Sequence, residues 1–193
     1  MVRKAIIKKF NLKPWVNMPW CTSKRYDRYT LGELLGEIGF NIGAEIGVRR
    51  GNYSKYLCEK NHNLKLYCID PWLPHGNKYT VERQERYYQE TLKNTNGLNI
   101  EIIRKKSHDA LNDIPDRSLD FVFVDGDHSF DHCVTDIIFW SKKVKKGGLI
   151  IVHDCYGWSG GGVLPAVYGY TYSHNLEWFI TKEAEPTAFW INQ

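Results

Sequence analysis

Apolar residues along the chain gather in short, nearly unbroken runs of four to six residues: Gly43 to Val48, Leu64 to Ile69, Leu98 to Ile103, Phe121 to Val124 and Leu149 to Val152. Bounded by turn signals, such runs predict buried strands of a parallel sheet. Between them the spacing becomes helical. Thr30 and Glu33 form a capping box ahead of Leu31, Leu34, Leu35 and Ile38, and Gly39 ends the segment. Tyr53, Tyr56 and Leu57 give the next helix its inner face. Val81 to Leu92 predicts a polar helix whose Arg83, Arg86, Tyr87 and Tyr88 form a solvated face, and Phe130, Val134, Ile137, Ile138 and Ser141 mark the inner face of another. Val163 to Tyr172 reads as a helix with Pro165 near its start, where proline is tolerated. Asn175 to Thr181 and Thr187 to Asn192 alternate as two strands around Glu185-Pro186. The pattern predicts an α/β fold with five parallel strands and a C-terminal antiparallel hairpin.

One unit organises the rest: strand, glycine turn, helix, strand and acid, running from Gly43 to Asp70. Glycines after a parallel strand let backbone approach a ligand, and an acid at the next strand tip can accept ribose hydroxyls. A dinucleotide fingerprint needs three glycines; Gly47 and Gly51 lack the middle one, which disfavours an NAD-dependent oxidoreductase. The order Glu45-x-Gly47-x-x-x-Gly51 followed by Asp70 resembles the first two motifs of class I S-adenosylmethionine-dependent methyltransferases. The resemblance implies a Rossmann-like, seven-stranded, mostly parallel sheet with the hairpin at its end. It also implies a glycine turn facing the methionine part of the cofactor and Asp70 holding the ribose. Trp72, just past the acid, either stacks on adenine or plugs the core. Ser107, after the third run, either contacts adenine or caps a short helix.

The fourth and fifth runs end in acids. Phe121 to Val124 is followed by Asp125, Asp127, His128 and Asp131, and Leu149 to Val152 by His153, Asp154, Cys155 and Tyr156. In an open parallel sheet these tips lie beside the glycine turn, where ligands bind. Two carboxylates at neighbouring tips repel unless a positive group joins them. A hard divalent cation such as Mg2+ is one solution; helix capping or bonds to loop amides is the other. The segments FVDGDHSF and GGLIIVHDCY are similar to the small O-methyltransferases of the macrolide-sugar, macrocin and cephalosporin group, related to methyltransferase family 24, over about residues 40 to 156. That resemblance implies Mg2+ held by Asp125 and Asp154, with His153 as a further candidate ligand. It implies Asp125 at both the cofactor and the catalytic centre, and His128 as general base. A second acid usually stands next to the Asp154 position; this chain has His153 and Cys155 there, and catechol-type relatives carry asparagine at the Cys155 position. Without a metal, His128 or Asp127 would remove the proton.

Composition changes the picture at one end. Residues 1 to 28 carry an excess of seven positive charges and interleave Phe10, Trp15, Trp20 and Tyr26, whereas the remaining chain is three negative. This predicts a basic arm ahead of a methyltransferase domain at 29 to 193: either an arm for an anionic partner (a sugar phosphate, a nucleic acid or a membrane surface) or an amphipathic one that packs its aromatics over the domain and could close its site. Five cysteines without C-x-x-C spacing suggest reduced thiols, and no apolar run reaches membrane-span length, so a cytoplasmic protein is expected. The expected function is methyl transfer to a hydroxyl of a small molecule, sugar or glycan, with or without Mg2+. A nucleic-acid methyltransferase would explain the arm but lacks the Asn/Asp-Pro-Pro-aromatic motif. A non-catalytic cofactor-binding module would not need acids and a histidine at both later tips. The acceptor and any homo-oligomer stay open.

Overall fold

In the computed structural model, residues 1–12, 18–23, 26–157 and 161–193 are described. Trp15, Lys13, Lys24 and Arg25 of the basic arm, and Trp158 to Gly160 of the glycine-rich loop, lie outside the described residues. The elements run α1 (Val2–Lys9), β1 (Trp20–Cys21), α2 (Arg28–Glu37), β2 (Ile42–Ile46), α3 (Asn52–Lys60) and β3 (Lys65–Ile69). They continue with α4 (Val81–Thr95), β4 (Ile100–Ile103), β5 (Leu119–Val124), α5 (Phe130–Lys143) and β6 (Val144–Val152). The chain closes with α6 (Val163–Ser173), β7 (Trp178–Ile180) and β8 (Ala188–Ile191).

One sheet orders these strands β1-β7-β8-β6-β5-β2-β3-β4. Pairings from β4 across to β6 are parallel, and β8 enters antiparallel between β6 and β7. The strand order reverses between β2 and β5, which places a ligand crevice above those two tips. Alternation along β5 divides the core. Phe121 and Phe123 face α1 to α4 with Leu31, Leu57 and Tyr87, while Val122 and Val124 face α5 and α6 with Ile137, Trp140 and Val167.

Seven strands match the five parallel strands and hairpin expected; the eighth comes from the basic arm. β1 pairs in parallel with β7, Trp20 opposite Phe179, and Ile6 and Phe10 are buried. Acids of the body neutralise part of the arm's charge: Arg3 pairs with Glu177 at 2.7 Å, and Lys9 with Glu37 at 2.6 Å and Glu33 at 3.2 Å. The expected boundary after residue 28 falls inside α2. Asp27 rather than Thr30 caps that helix, accepting from the Thr30 N–H at 2.9 Å, because its carboxylate also takes the Thr30 hydroxyl.

Two helices differ in part from their sequence pattern. On α5, Val134, Ile137 and Ser141 face inward as expected, joined by Cys133 and Trp140, whereas Phe130 and Ile138 are 47% and 39% exposed. The Trp140 indole donates to the Ser107 hydroxyl at 2.7 Å, and that bond with the Asp136–Ser107 contact sets the rotation. On the polar helix α4, Tyr87 is fully buried and its hydroxyl accepts from Arg83 Nε at 2.7 Å.

Asp120 anchors the entry to β2 by accepting from the N–H groups of Asn41 at 2.8 Å and Ile42 at 2.9 Å, with Lys145 at 2.7 Å on its other oxygen. Asp120→Ala leaves both amides without their acceptor. Urea denaturation is expected to register a loss of about 2–3 kcal/mol.

Candidate active site

The glycine turn is built by backbone geometry that a side chain would break. At Gly47 φ is +88°, and an added Cβ would stand 2.0 Å from the Asp125 carbonyl oxygen. The turn from β2 therefore rests directly on the tip of β5. Asp70 holds the same turn from the other side. Its Oδ2 accepts from the N–H groups of Val48 at 3.0 Å and Arg49 at 2.9 Å, and its Oδ1 from Trp72 at 2.7 Å. Burial pushes the Asp70 carboxyl up, against the pull of these amides. An ionised carboxylate offers about four acceptor sites, so three amides leave one free.

The other residues assigned to the cofactor occupy different surroundings. Glu45 is 2% exposed beneath the turn and accepts from the Ser54 hydroxyl of α3; burial pushes its carboxyl up to about 8. It supports the turn from below. Gly51 takes φ +72° as the residue that starts α3. Trp72 is 2% exposed, its indole N–H donates to the Arg49 carbonyl at 2.9 Å, and it packs on Tyr88. Its ring fills the core and offers no face to adenine, which corrects the stacking expectation. Ser107 is tied to Asp136 and Trp140, so its hydroxyl serves α5.

At the tips of β5 and β6, four side chains converge. His128 Nε2 lies 3.6 Å from Asp125 Oδ1 and 3.3 Å from Asp154 Oδ2. His153 Nδ1 lies 3.5 and 3.4 Å from the same two oxygens. The Asp125 contact raises the pKa of His128 despite partial burial. Burial works against a charge on Asp125, but the two imidazoles hold its carboxyl below the usual range. Asp127 is turned away, accepting from the Ser129 N–H at 2.8 Å ahead of α5, and Cys155 is a buried thiol pushed up to about 12 by burial. The Gly162 N–H donates to the His128 carbonyl at 2.9 Å, holding the start of α6 against this tip.

A fifth group enters from a part of the chain that sequence reasoning assigned to the arm. Arg28 Nη1 stands 3.1 Å from His153 Nε2 and 3.9 Å from Asp125 Oδ2. A guanidinium has donors only, so Nε2 accepts from Arg28 when the ring is neutral with its proton on Nδ1. Burial opposes a second proton on this ring. The carboxylates of Asp125 and Asp154 pull for one and raise the ring's pKa to about 9, against burial and the Arg28 charge. The available signal was the helix cap: Asp27 starts α2 at the next residue and fixes where the Arg28 side chain leaves the backbone.

The cluster was tested for Mg2+. Asp125, His128 and Asp154 bring ligand atoms within 4.8 Å of one another, as do His153, Asp154 and Glu185. His153 Nδ1 is buried without a hydrogen-bond partner, which taken alone is what a missing ion would leave. Three features oppose that reading. Mg2+ demands oxygen ligands, and only two of the four convergent groups supply them. Cys155 stands where an oxygen ligand would, and Arg28 places a fixed positive charge beside Asp125. The residues present do not fit Mg2+.

Two shallow hollows, lined by residues such as His108, Phe139 and Lys142 or Arg117, Lys146 and Tyr170, are separate from this cluster.

An open parallel sheet with a glycine turn at its switch point and acids at the adjoining tips defines the Rossmann-like class I methyltransferase fold. Residues 44–155 match the model of the family described as a methyltransferase domain, and the chain belongs to that family. It is 31% identical over 131 residues to "Uncharacterized protein R132" of Acanthamoeba polyphaga mimivirus, covering 64% of this chain and 56% of that protein. The chain thus spans little more than half the length of that relative. Among solved structures it resembles a putative caffeoyl-CoA O-methyltransferase from Staphylococcus aureus, with TM-score 0.68, 13% identity and coverage of 100% and 91% of the two chains. It also resembles a precorrin-6y C5,15-methyltransferase from Geobacter metallireducens GS-15, with TM-score 0.62, 13% identity and coverage of 84% and 87%. A third is a cofactor-bound protein, Rv0187 from MTB, with TM-score 0.61, 16% identity and coverage of 99% and 87%. At these identities the likeness speaks for the fold.

Proposed function

We propose that the chain transfers the methyl group of S-adenosylmethionine to a hydroxyl of a small molecule, sugar or glycan. The observation that carries this reading is the backbone contact between Gly47 and Asp125, which puts the turn for the donor against the tip that bears the base. When bound, S-adenosylmethionine supplies an electrophilic methyl group on its sulfonium. The glycine turn and Asp70 hold the donor, and the tips of β5 and β6 orient the acceptor in line with it. Asp125 and Asp154 face His128 Nε2 and leave Nδ1 as the atom that takes the hydroxyl proton, in the manner of a carboxylate-oriented base. The products are the methyl ether, S-adenosylhomocysteine and a proton on His128.

The reading is tested by calorimetric titration with S-adenosylhomocysteine. Binding by the native chain is expected, and Asp70→Ala should weaken it roughly 10- to 100-fold by removing a charged acceptor. Absence of binding by the native chain would overturn the reading. No helix among the described residues is long and apolar enough to cross a membrane.

A further inference from the structure

The positive group that two facing carboxylates require is already present in the chain. Arg28 is fixed where it stands: its guanidinium lies 5.4 Å from the Tyr29 ring and 5.6 Å from the Tyr53 ring. Its backbone N–H donates to Glu183 at 2.9 Å, and its carbonyl accepts from the Tyr53 hydroxyl at 2.9 Å. The contacts of Asp125 are divided between its two oxygens, with Oδ2 toward Arg28 and Oδ1 toward the two imidazoles. Through its contact with His153, Arg28 also sets which ring nitrogen faces the carboxylates as an N–H.

We propose that Arg28, rather than a divalent ion, supplies the fixed positive charge at the paired tips of β5 and β6, and that it excludes such an ion from Asp125 and Asp154. Arg28 cancels one of the two negative charges. The imidazoles of His128 and His153, 3.3 to 3.6 Å from the carboxylate oxygens, face the other, so the paired acids already meet positive and donor groups of the chain. Arg28 is thus a positioning residue that acts through Asp125 and His153. Its purpose rests on the methyl-transfer reading, but its test does not.

The test follows Mn2+ by electron paramagnetic resonance in the full-length protein, with Mg2+ competition, and reads His153 by 15N NMR. The native chain and Arg28→Lys, which keeps the charge, are expected to leave Mn2+ free. Arg28→Gln should gain affinity by roughly tenfold or more, the size of one unscreened neighbouring charge, and lose that gain when Asp154→Asn is added. Above pH 9, where the His153 ring is neutral, its spectrum in the native chain should show the proton on Nδ1, and Arg28→Gln should mix the two tautomers. Binding of Mn2+ or Mg2+ by the native chain that depends on Asp125 and Asp154 would overturn the proposal, as would a neutral native His153 with its proton on Nε2. Those native-chain readouts decide the matter even if Arg28→Gln fails to fold. A native chain that excludes Mn2+ but does not bind S-adenosylhomocysteine would sink methyl transfer and leave the role of Arg28 standing.

Discussion

Gly47→Ala should abolish S-adenosylhomocysteine binding and destabilise the fold more than a typical surface substitution. Two costs combine at this residue. Left-handed backbone penalises any side chain by roughly 1–2 kcal/mol. A methyl group would also sit 2.0 Å from the Asp125 carbonyl oxygen, which is main chain and cannot swing aside. Relief requires β2 and β5 to part at the crevice, and the Asp125 N–H bond to the Ile46 carbonyl, 2.8 Å long, would be the first to stretch. Together these effects place the expected loss at about 3–5 kcal/mol, the range reserved for backbone clashes and strain. Thermal unfolding and calorimetry on the same sample check both halves. A variant that melts near the native temperature and still binds would show that the turn is not rigidly seated on β5.

His128→Ala should leave the fold and cofactor affinity nearly intact while lowering the rate of methyl transfer about 10²- to 10⁴-fold, the usual contribution of a positioned base. His128 is one-third exposed at its tip, so truncation opens no core cavity. The pH profile gives the sharper signature. Only the neutral ring accepts a proton, so the rate should rise with pH. Because Asp125 and Asp154 raise the pKa of His128, the midpoint should lie above the ordinary histidine value of about 6.5. Asp154→Asn removes one raising charge and should move that midpoint toward acid. Release of S-adenosylhomocysteine with an accepted hydroxyl compound measures both effects; an unmoved midpoint would mean that another group titrates.

The strand tips were legible because hydrophobic runs end abruptly in acids, and a parallel sheet places consecutive tips on one side. That logic brought Gly47, Asp70, Asp125, His128, His153 and Asp154 into one neighbourhood from sequence alone. The side chains' partners were not legible. Trp72 follows the turn acid, but only the folded chain reveals that its indole N–H finds the Arg49 carbonyl and leaves the ring in the core. The helical period of α5 was correct and Val134, Ile137 and Ser141 face inward as expected, but the centre of the face lies nearer Cys133 and Trp140, which the hydrogen bonds of Asp136, Ser107 and Trp140 hold in place. Arg28 was hidden by its neighbours in sequence: a basic run reads as one solvated arm, whereas the caps and ring contacts that detach its last member are tertiary. The two missing oxygen ligands, visible as His153 and Cys155, become intelligible only beside that arginine.

The two-residue strand β1 also determines how the sheet ends. An open sheet carries unpaired backbone groups along both margins, and long bare margins recruit strands from other molecules. Here one margin is a strand of two residues, Trp20 and Cys21, too short to template a partner. The other is the four-residue β4, where Glu101 is paired with Lys65 and Arg104 with Glu85 just beyond. Among the described residues, both margins therefore discourage growth of the sheet from molecule to molecule.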